Sequence, residues 1–436
     1  MSSNISIETN WLPPFQGPEE VRRTSAEIRI SFGTDLATRC QDDWPQSVQE
    51  RARVAGYPLA LWFVSSWWRL RWEPEPVRVR LQQNRSLAET HWRISHHLPA
   101  AGHGFIWPPL TFVSDGDTIA VLCKQSNPST DEPVRYLSEF AATVSAQEFE
   151  HAVHAFISLV CNRLDPLKTE LLSLWQEVLN ERADPEQSSA RKIEARLGYD
   201  PDEAPPSLME DFFKLAVISG PDAADEIAPI CAGVDPARSL ELILELASQP
   251  GVQGRVKIPV MVEESGASLP PWQGAKTLAE LARKSLGMNG KPFDDQSLCD
   301  LLEIPKEVLN FRPSRPCNGA DVGLAMRIKG EHNLKFLFHR RSRLGRRFEA
   351  ARFVCNSISR LGSEGWFPVT DARAARQKMQ RSFATEFFCP IDALREFLND
   401  EFNQEAFGRG IGLFRDFGAG DRKSLGKQSP NPSIII

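Results

Sequence analysis

Eight His and eight Cys give this 436-residue chain raw material for a metal site, so their spacing decides what it could do. His91, His96, His97 and His103 form the densest His group, and His151 and His154 stand three residues apart. His332 and His339 flank an apolar segment, Lys335–Phe338. None of these sets has the i, i+4 spacing that puts two imidazoles on one helix face with a Glu between them, the arrangement of a zinc hydrolase. The reading is therefore surface or hydrogen-bonded core His. Cys355 and Cys389 lie in or beside two long candidate helices, but a buried thiol more often behaves as a small apolar side chain than as a ligand. No CxxC pair occurs among Cys40, Cys123, Cys161, Cys231, Cys299, Cys317, Cys355 and Cys389. That argues against a zinc ribbon and a disulfide framework, and predicts a reduced, cytoplasmic setting. Signatures of a serine nucleophile elbow, a P-loop or a dinucleotide fold are absent as well. The expectation is no catalytic residue, no metal and no cofactor.

A second chemical signal is basic. Between Arg327 and Arg352 there are nine Lys/Arg against two Glu. Arg340, Arg341, Arg343, Arg346 and Arg347 are the dense part, and such a patch can neutralise phosphates. The competing reading is a solvated loop leading into a helix, with Arg347 held structurally. Only Phe338 and Phe348 interleave with these arginines, so a base-stacking platform is weakly supported.

These groups need elements to hold them. With 41% hydrophobic and 25% charged residues the chain matches a folded protein of two or three domains. No apolar run reaches the roughly 18 residues of a membrane helix, and the N-terminus lacks a basic segment followed by an apolar core, so neither a membrane partner nor a signal peptide is expected. The charge splits as about −2 for 1–140, −12 for 141–250 and +8 for 251–436. Eight of eleven Trp lie before residue 110, read as core rather than a ligand-stacking surface. The fold class expected is α+β: a Trp-rich mixed region over 1–140, an acidic helical region over 141–250, a linker over 251–271, and a compact domain over 272–406.

Within these, the apolar run Leu59–Trp72 and the alternating Val77–Leu81 favour strands. Asp115-Gly116 predicts a hairpin turn. Ser145 and Glu148 have capping-box spacing before the stripe Phe149, Val153, Phe156 and Val160. Pro166 can open the next helix. Helices follow to Gly198, then over Ser207–Ile218, Ala223–Ala232 and Pro236–Ser248. Beyond the linker come helices Ala275–Leu286 and Asp295–Leu302, strands Val322–Ile328 and Lys335–Phe338, and helices Glu349–Leu361, Arg373–Phe388 and Pro390–Leu398. The acidic surplus over 141–250 reads as a solvated face, with a surface for a basic partner as the alternative.

The order of elements over about 272–400 resembles the ImmA/IrrE family of zinc metallopeptidase domains. Leu281-Ala-Arg-Lys-Ser-Leu-Gly-Met288, Lys291-Pro-Phe293 and Leu301-Leu-Glu-Ile-Pro305 match its opening steps. Arg347-Phe-Glu-Ala-Ala-Arg-Phe-Val-Cys-Asn356 occupies its HExxH helix. Gln377-Lys-Met-Gln-Arg-Ser-Phe-Ala-Thr-Glu-Phe-Phe-Cys-Pro390 occupies the next helix, with Phe383-Ala384, Glu386 and Pro390 at the family's spacing. The resemblance implies a zincin-like scaffold whose metal position has been replaced: Arg352 for the first His, Phe353 for the Glu, Asn356 for the second His and Gln377 for the third ligand. A catalytic zinc needs three protein ligands and a water position. Here no aligned ligand position supplies a His or a carboxylate, and Arg352 brings a permanent cation.

The expectation is thus a non-catalytic, pseudo-peptidase protein that binds a protein partner. Because the family's peptidases act on DNA-binding repressors, the resemblance implies a repressor- or toxin-like partner in a regulatory, stress-response or defence and mobile-element setting. Two alternatives stand: a metal-dependent endopeptidase with a site rebuilt from residues such as His332 or Cys355, and a nucleic-acid-binding regulator using the basic segment 340–352. Residues 407–436 keep no helical or strand period and read as a disordered or out-of-frame tail, since a shifted frame can be written with a helical pattern.

Overall fold

The structure, a computed structural model, describes residues 4–42, 47–75, 90–127, 132–233, 235–258, 271–288, 293–310, 322–328, 333–359 and 365–398. The expected strand Val77–Leu81, His332, Cys317 and the tail 407–436 lie outside these residues. The fold is mixed α and β, and the chain forms two compact units that divide after Pro205.

The first unit runs β1 (Ile5–Trp11), α1 (Glu19–Arg23), β2 (Ser25–Phe32), β3 (Asp35–Leu36), β4 (Cys40–Asp42), β5 (Ser47–Gln49), β6 (Ala52–Ala55), α2 (Gly56–Ser65), α3 (Trp67–Trp72), α4 (Thr90–His96), β7 (Leu110–Ser114), β8 (Thr118–Cys123), β9 (Val134–Tyr136), β10 (Phe140–Ser145), α5 (Ala146–Leu164), α6 (Glu170–Ala183) and α7 (Pro185–Leu197). Three antiparallel sheets result: β1-β2-β3 with β6 also on β2, then β10-β8-β7, and β5-β4-β9. The β7–β8 hairpin turns at Asp115, whose carboxylate accepts from the N–H groups of Asp117 (3.0 Å) and Thr118 (2.7 Å), and Gly116 takes φ +102°. At the start of α5 the Ser145–Glu148 capping box is complete in both directions. Its stripe Phe149, Val153, Phe156 and Val160 is buried.

One expectation fails here. Leu59–Trp72 forms the helices α2 and α3, not a strand. Leu59, Ala60, Trp62, Phe63, Val64, Trp67, Trp68 and Leu70 are all buried. A helix buried on nearly every side shows no 3.6-residue polar period, so its sequence cannot be told from that of a buried strand. The Trp residues are mostly core, Trp62, Trp67, Trp68, Trp92 and Trp107 among them. Pro166 falls in a short 3₁₀ turn, Asp165–Leu167, and α6 starts three residues later, after Lys168 at φ +47°.

The second unit runs α8 (Pro206–Ser219), α9 (Pro221–Cys231), α10 (Pro236–Ser248), β11 (Val252–Gly254), α11 (Pro271–Ser285), α12 (Asp295–Leu302), α13 (Glu307–Asn310), β12 (Val322–Arg327), β13 (Leu334–Leu337), α14 (Arg343–Ile358), β14 (Trp366–Thr370), α15 (Ala375–Phe388) and α16 (Ile391–Leu398). Its antiparallel sheet has the order β11-β13-β12-β14. The acidic stretch 141–250 is therefore shared between the units. The stripe of α5 packs on β1, β8, β10 and α2, while α9 packs on α8, α10 and β14.

The start of the expected linker is also structured. Val252–Gly254 pairs with β13, and Arg255 and Lys257 donate backbone hydrogen bonds to Leu302 and Leu301. Gly254 permits this, because a Cβ there would fall 2.3 Å from the Leu302 carbonyl oxygen. Helices α14 and α15 pack on each other; α14 also contacts β14 and α15 contacts α11. Phe293, Leu298, Phe336, Phe353, Phe367, Phe383 and Phe387 form the apolar centre.

Candidate functional site

Helix α14 begins on Ser342, whose hydroxyl accepts from the Gly345 N–H at 3.0 Å. From Glu349 to Asn356 each of its residues is buried, so its polar side chains must find partners inside the unit. Arg352 points at α15 and β14. Its Nη2 donates to the Gln377 side-chain oxygen and to the Thr370 carbonyl (2.8 Å), and its Nε donates to Gln380 Oε1 at 3.2 Å. Gln380 Nε2 in turn donates to Asn356 Oδ1 at 3.0 Å and to the Pro368 carbonyl at 3.3 Å. The amide of Gln377 is fixed from both ends. Its oxygen accepts from the Thr370 N–H (2.8 Å) and its nitrogen donates to the Pro368 carbonyl (3.1 Å).

Arg352, Asn356 and Gln377 thus belong to one buried hydrogen-bonded cluster. Gln380 joins it from the same face of α15, one turn after Gln377, at the i, i+3 spacing that sequence inspection could have flagged. Burial and the nearby Arg381 cation push the Arg352 guanidinium down to about 9, which still leaves it charged at neutral pH. The Asn356 amide nitrogen is buried and has no hydrogen-bond partner among the described residues. Phe353 is fully buried and packs on Phe336 and Phe338, with ring centroids at 5.5 and 5.6 Å. Its ring carries no group that can transfer a proton.

Glu349, one turn before Arg352, was not singled out from sequence. Its carboxylate lies against Gly323, where a Cβ would collide with it, and accepts from the backbone N–H groups of His339 (3.1 Å) and Arg340 (3.2 Å). Burial pushes it up to about 7, and these hydrogen bonds oppose the rise only in part.

The basic segment is largely engaged within the unit. Arg347 is buried and donates to Asp295 and to the Phe293 carbonyl (2.6 Å), and its guanidinium lies 4.9 Å from the Phe388 ring centre. Arg343 donates to the other Asp295 oxygen at 2.6 Å. Arg346 donates to the carbonyls of Leu309 (2.9 Å) and Arg340 (3.1 Å), and Arg340 pairs with Asp371. Burial works against the Asp295 carboxylate, but Arg343 and Arg347 hold it below the usual range. Arg341 is the exposed member of the five.

The remaining candidates disperse. Cys355 and Cys389 are free thiols, each pushed up to about 12 by burial. His339 contributes its backbone N–H to Glu349. In the first unit His96 is wholly buried, stacked on Trp92 at 4.4 Å, with Nε2 2.9 Å from Glu73 and Nδ1 3.0 Å from the Phe112 carbonyl oxygen. Glu73 also accepts from Arg69 at 2.7 and 3.1 Å. Burial opposes its ionisation, but hydrogen bonds and charge from His96 and Arg69 outweigh that and hold its carboxyl low.

His97 is pushed down to about 4 by burial. His91 joins Asp200 and Glu203 in the one trio of potential metal ligands among the described residues, with donor atoms within 4.8 Å of one another. The Arg69 guanidinium stands 3.2 Å from His91 Nε2 and 3.6 Å from Asp200, so a permanent cation already occupies that neighbourhood. No helix among the described residues is long and apolar enough to cross a membrane. No family model, curated protein or solved structure gives a significant match to this chain.

Proposed function

We propose that the second unit carries a degenerate ImmA/IrrE-like domain and that the chain is a non-catalytic, cytoplasmic binding protein. In this reading the zincin-like scaffold holds a repressor- or toxin-like protein partner in a regulatory, stress-response or defence setting without cleaving it. One observation carries the reading. Three positions chosen by sequence alignment alone, 4 and 25 residues apart from Arg352, come together as one buried polar cluster with a cation at its centre. The Asn356 amide nitrogen, which has no acceptor among the described residues, supports it too, because a buried donor without an acceptor is a liability of about 1–3 kcal/mol that packing alone would not select. The nucleic-acid reading loses support, since four of the five arginines it needs are engaged by Asp295, Asp371 or backbone carbonyls.

The test is metal analysis of the full chain after equilibration with zinc, together with incubation beside any repressor- or toxin-like protein encoded next to it. The expected result is a stable complex, an intact partner and substoichiometric zinc. One zinc per chain that disappears in Cys355→Ser or His332→Asn, with cleavage of the partner, overturns the proposal in favour of a rebuilt peptidase site.

A further inference from the structure

The sheet of the second unit has an edge where four strands end together. The register places Gly254 of β11 and Arg327 of β12 on either side of Leu334 of β13, and Met326 opposite Trp366 at the start of β14. At that edge lies a cavity of about 160 Å³. By the measure of about 10–15 Å³ per water, it holds several waters or one small hydrated anion. Arg255 and Arg327 line it, with Asn333 and Ser357 beside them and Leu334 and Phe367 as apolar wall.

Two features separate this place from the rest of the unit. Neither Arg255 nor Arg327 makes an ion pair or a side-chain hydrogen bond among the described residues, whereas Arg340, Arg343, Arg347 and Arg352 are all engaged. No Asp or Glu lines the cavity among the described residues. Two permanent cations of like sign therefore face one concavity without a counter-charge among the described residues, and a concave, partly apolar wall concentrates their field. The Arg327 guanidinium lies 5.6 Å from the Phe367 ring centre, a contact that orients its fork. A guanidinium presents parallel N–H donors that match the oxygens of a tetrahedral anion.

We infer that this cavity is a phosphate-binding site, with Arg255 and Arg327 as the clamp. The inference stands apart from the replaced metal position: it uses none of Arg352, Asn356 or Gln377, and it holds or fails whatever that cluster does.

The experiment is isothermal titration of the full chain with inorganic phosphate at constant ionic strength. One saturable site per chain is expected. Arg255→Gln and Arg327→Gln should each weaken it about tenfold or more, since a hydrogen bond to a charged group is worth about 1.5–3 kcal/mol and 1.4 kcal/mol is tenfold. Both residues are exposed, so circular dichroism should report an unchanged fold. Arg341→Gln, a surface arginine of the same unit, should leave binding unchanged. Competition then separates the sources of phosphate. Displacement by glycerol 3-phosphate alone identifies a small phosphomonoester, whereas displacement by a short DNA duplex, weakened by the same two substitutions and by added salt, identifies a nucleic-acid backbone. Either supports the site. No saturable binding, binding that survives both substitutions, or acetate bound as tightly as phosphate overturns it.

Discussion

Arg69 in the first unit and Arg352 in the second are both almost wholly buried, yet they are held in opposite ways. Arg69 meets the Glu73 carboxylate in a two-point contact, with Asp200 and His91 at its far side. Burial works against its charge, but those carboxylates outweigh it and raise its pKa. Arg352 meets two glutamine amides and a backbone carbonyl, and its pKa falls to about 9. A neutralised arginine is a structural ion pair. An arginine surrounded by neutral oxygens resembles a cation seated in a ligand cage, and that is what a replaced metal position would leave behind.

The difference makes quantitative demands. Removing one partner of a buried ion pair strands the other charge, so Arg69→Met should lower unfolding free energy by about 3–5 kcal/mol in a denaturant titration. If it proves nearly neutral, Glu73 and His96 suffice alone and the contrast is lost.

Next in size is the pH response of the second unit. Glu349 rises from an ordinary 4.5 to about 7 on folding, so the folded state holds its proton over a range where the unfolded chain has lost it. Stability from this group is complete below about 4.5 and falls by about 3 kcal/mol as pH climbs to about 7. Glu349→Gln should flatten that part of the profile, measured as unfolding free energy against pH.

Arg352→Met should be milder than Arg69→Met, about 1–2 kcal/mol, because it removes a desolvated charge and strands only neutral acceptors. An equal loss for the two substitutions would mean that the amide cage is as structural as the ion pair. Ser145→Ala removes one side of the α5 capping box and should cost about 1 kcal/mol by the same titration, which sets the scale for a purely local contact.

How much of this was legible follows from what each residue's signal depends on. Local signals read well. Asp235 before Pro236 and Asp294 before Asp295 cap their helices through side-chain acceptors, and α10 and α12 span the expected residues. Gly198 ends α7 at positive φ as its position predicts, and Gly287 takes positive φ just beyond α11. Elements defined by distant partners read poorly. β14 carries Pro368, which sequence rules demote from a strand, but β14 is the sheet's edge, where a missing N–H is tolerated. β11 pairs with β13, about eighty residues on, and Gly254 lets the chain run close to Leu302. In the candidate site, Arg352, Asn356 and Gln377 were reachable through the resemblance. Gln380 was within reach of its i, i+3 spacing from Gln377, whereas Glu349 was not, since its importance depends on Gly323, which lies far off in sequence. The fates of Arg343 and Arg347 were hidden likewise, because Asp295 is about fifty residues away and a run of arginines looks the same whether it is solvated or paired.

The central claim is that positions 352, 356 and 377 are the ligand positions of a zinc site that this chain has replaced. It is tested most directly by counting zinc in the variant Arg352→His/Asn356→His/Gln377→Glu, equilibrated with zinc, freed of excess metal and shown to be folded. Three ligands with an open fourth position should bind one zinc per chain where the parent chain binds none. A folded triple variant that binds no zinc would contradict the account.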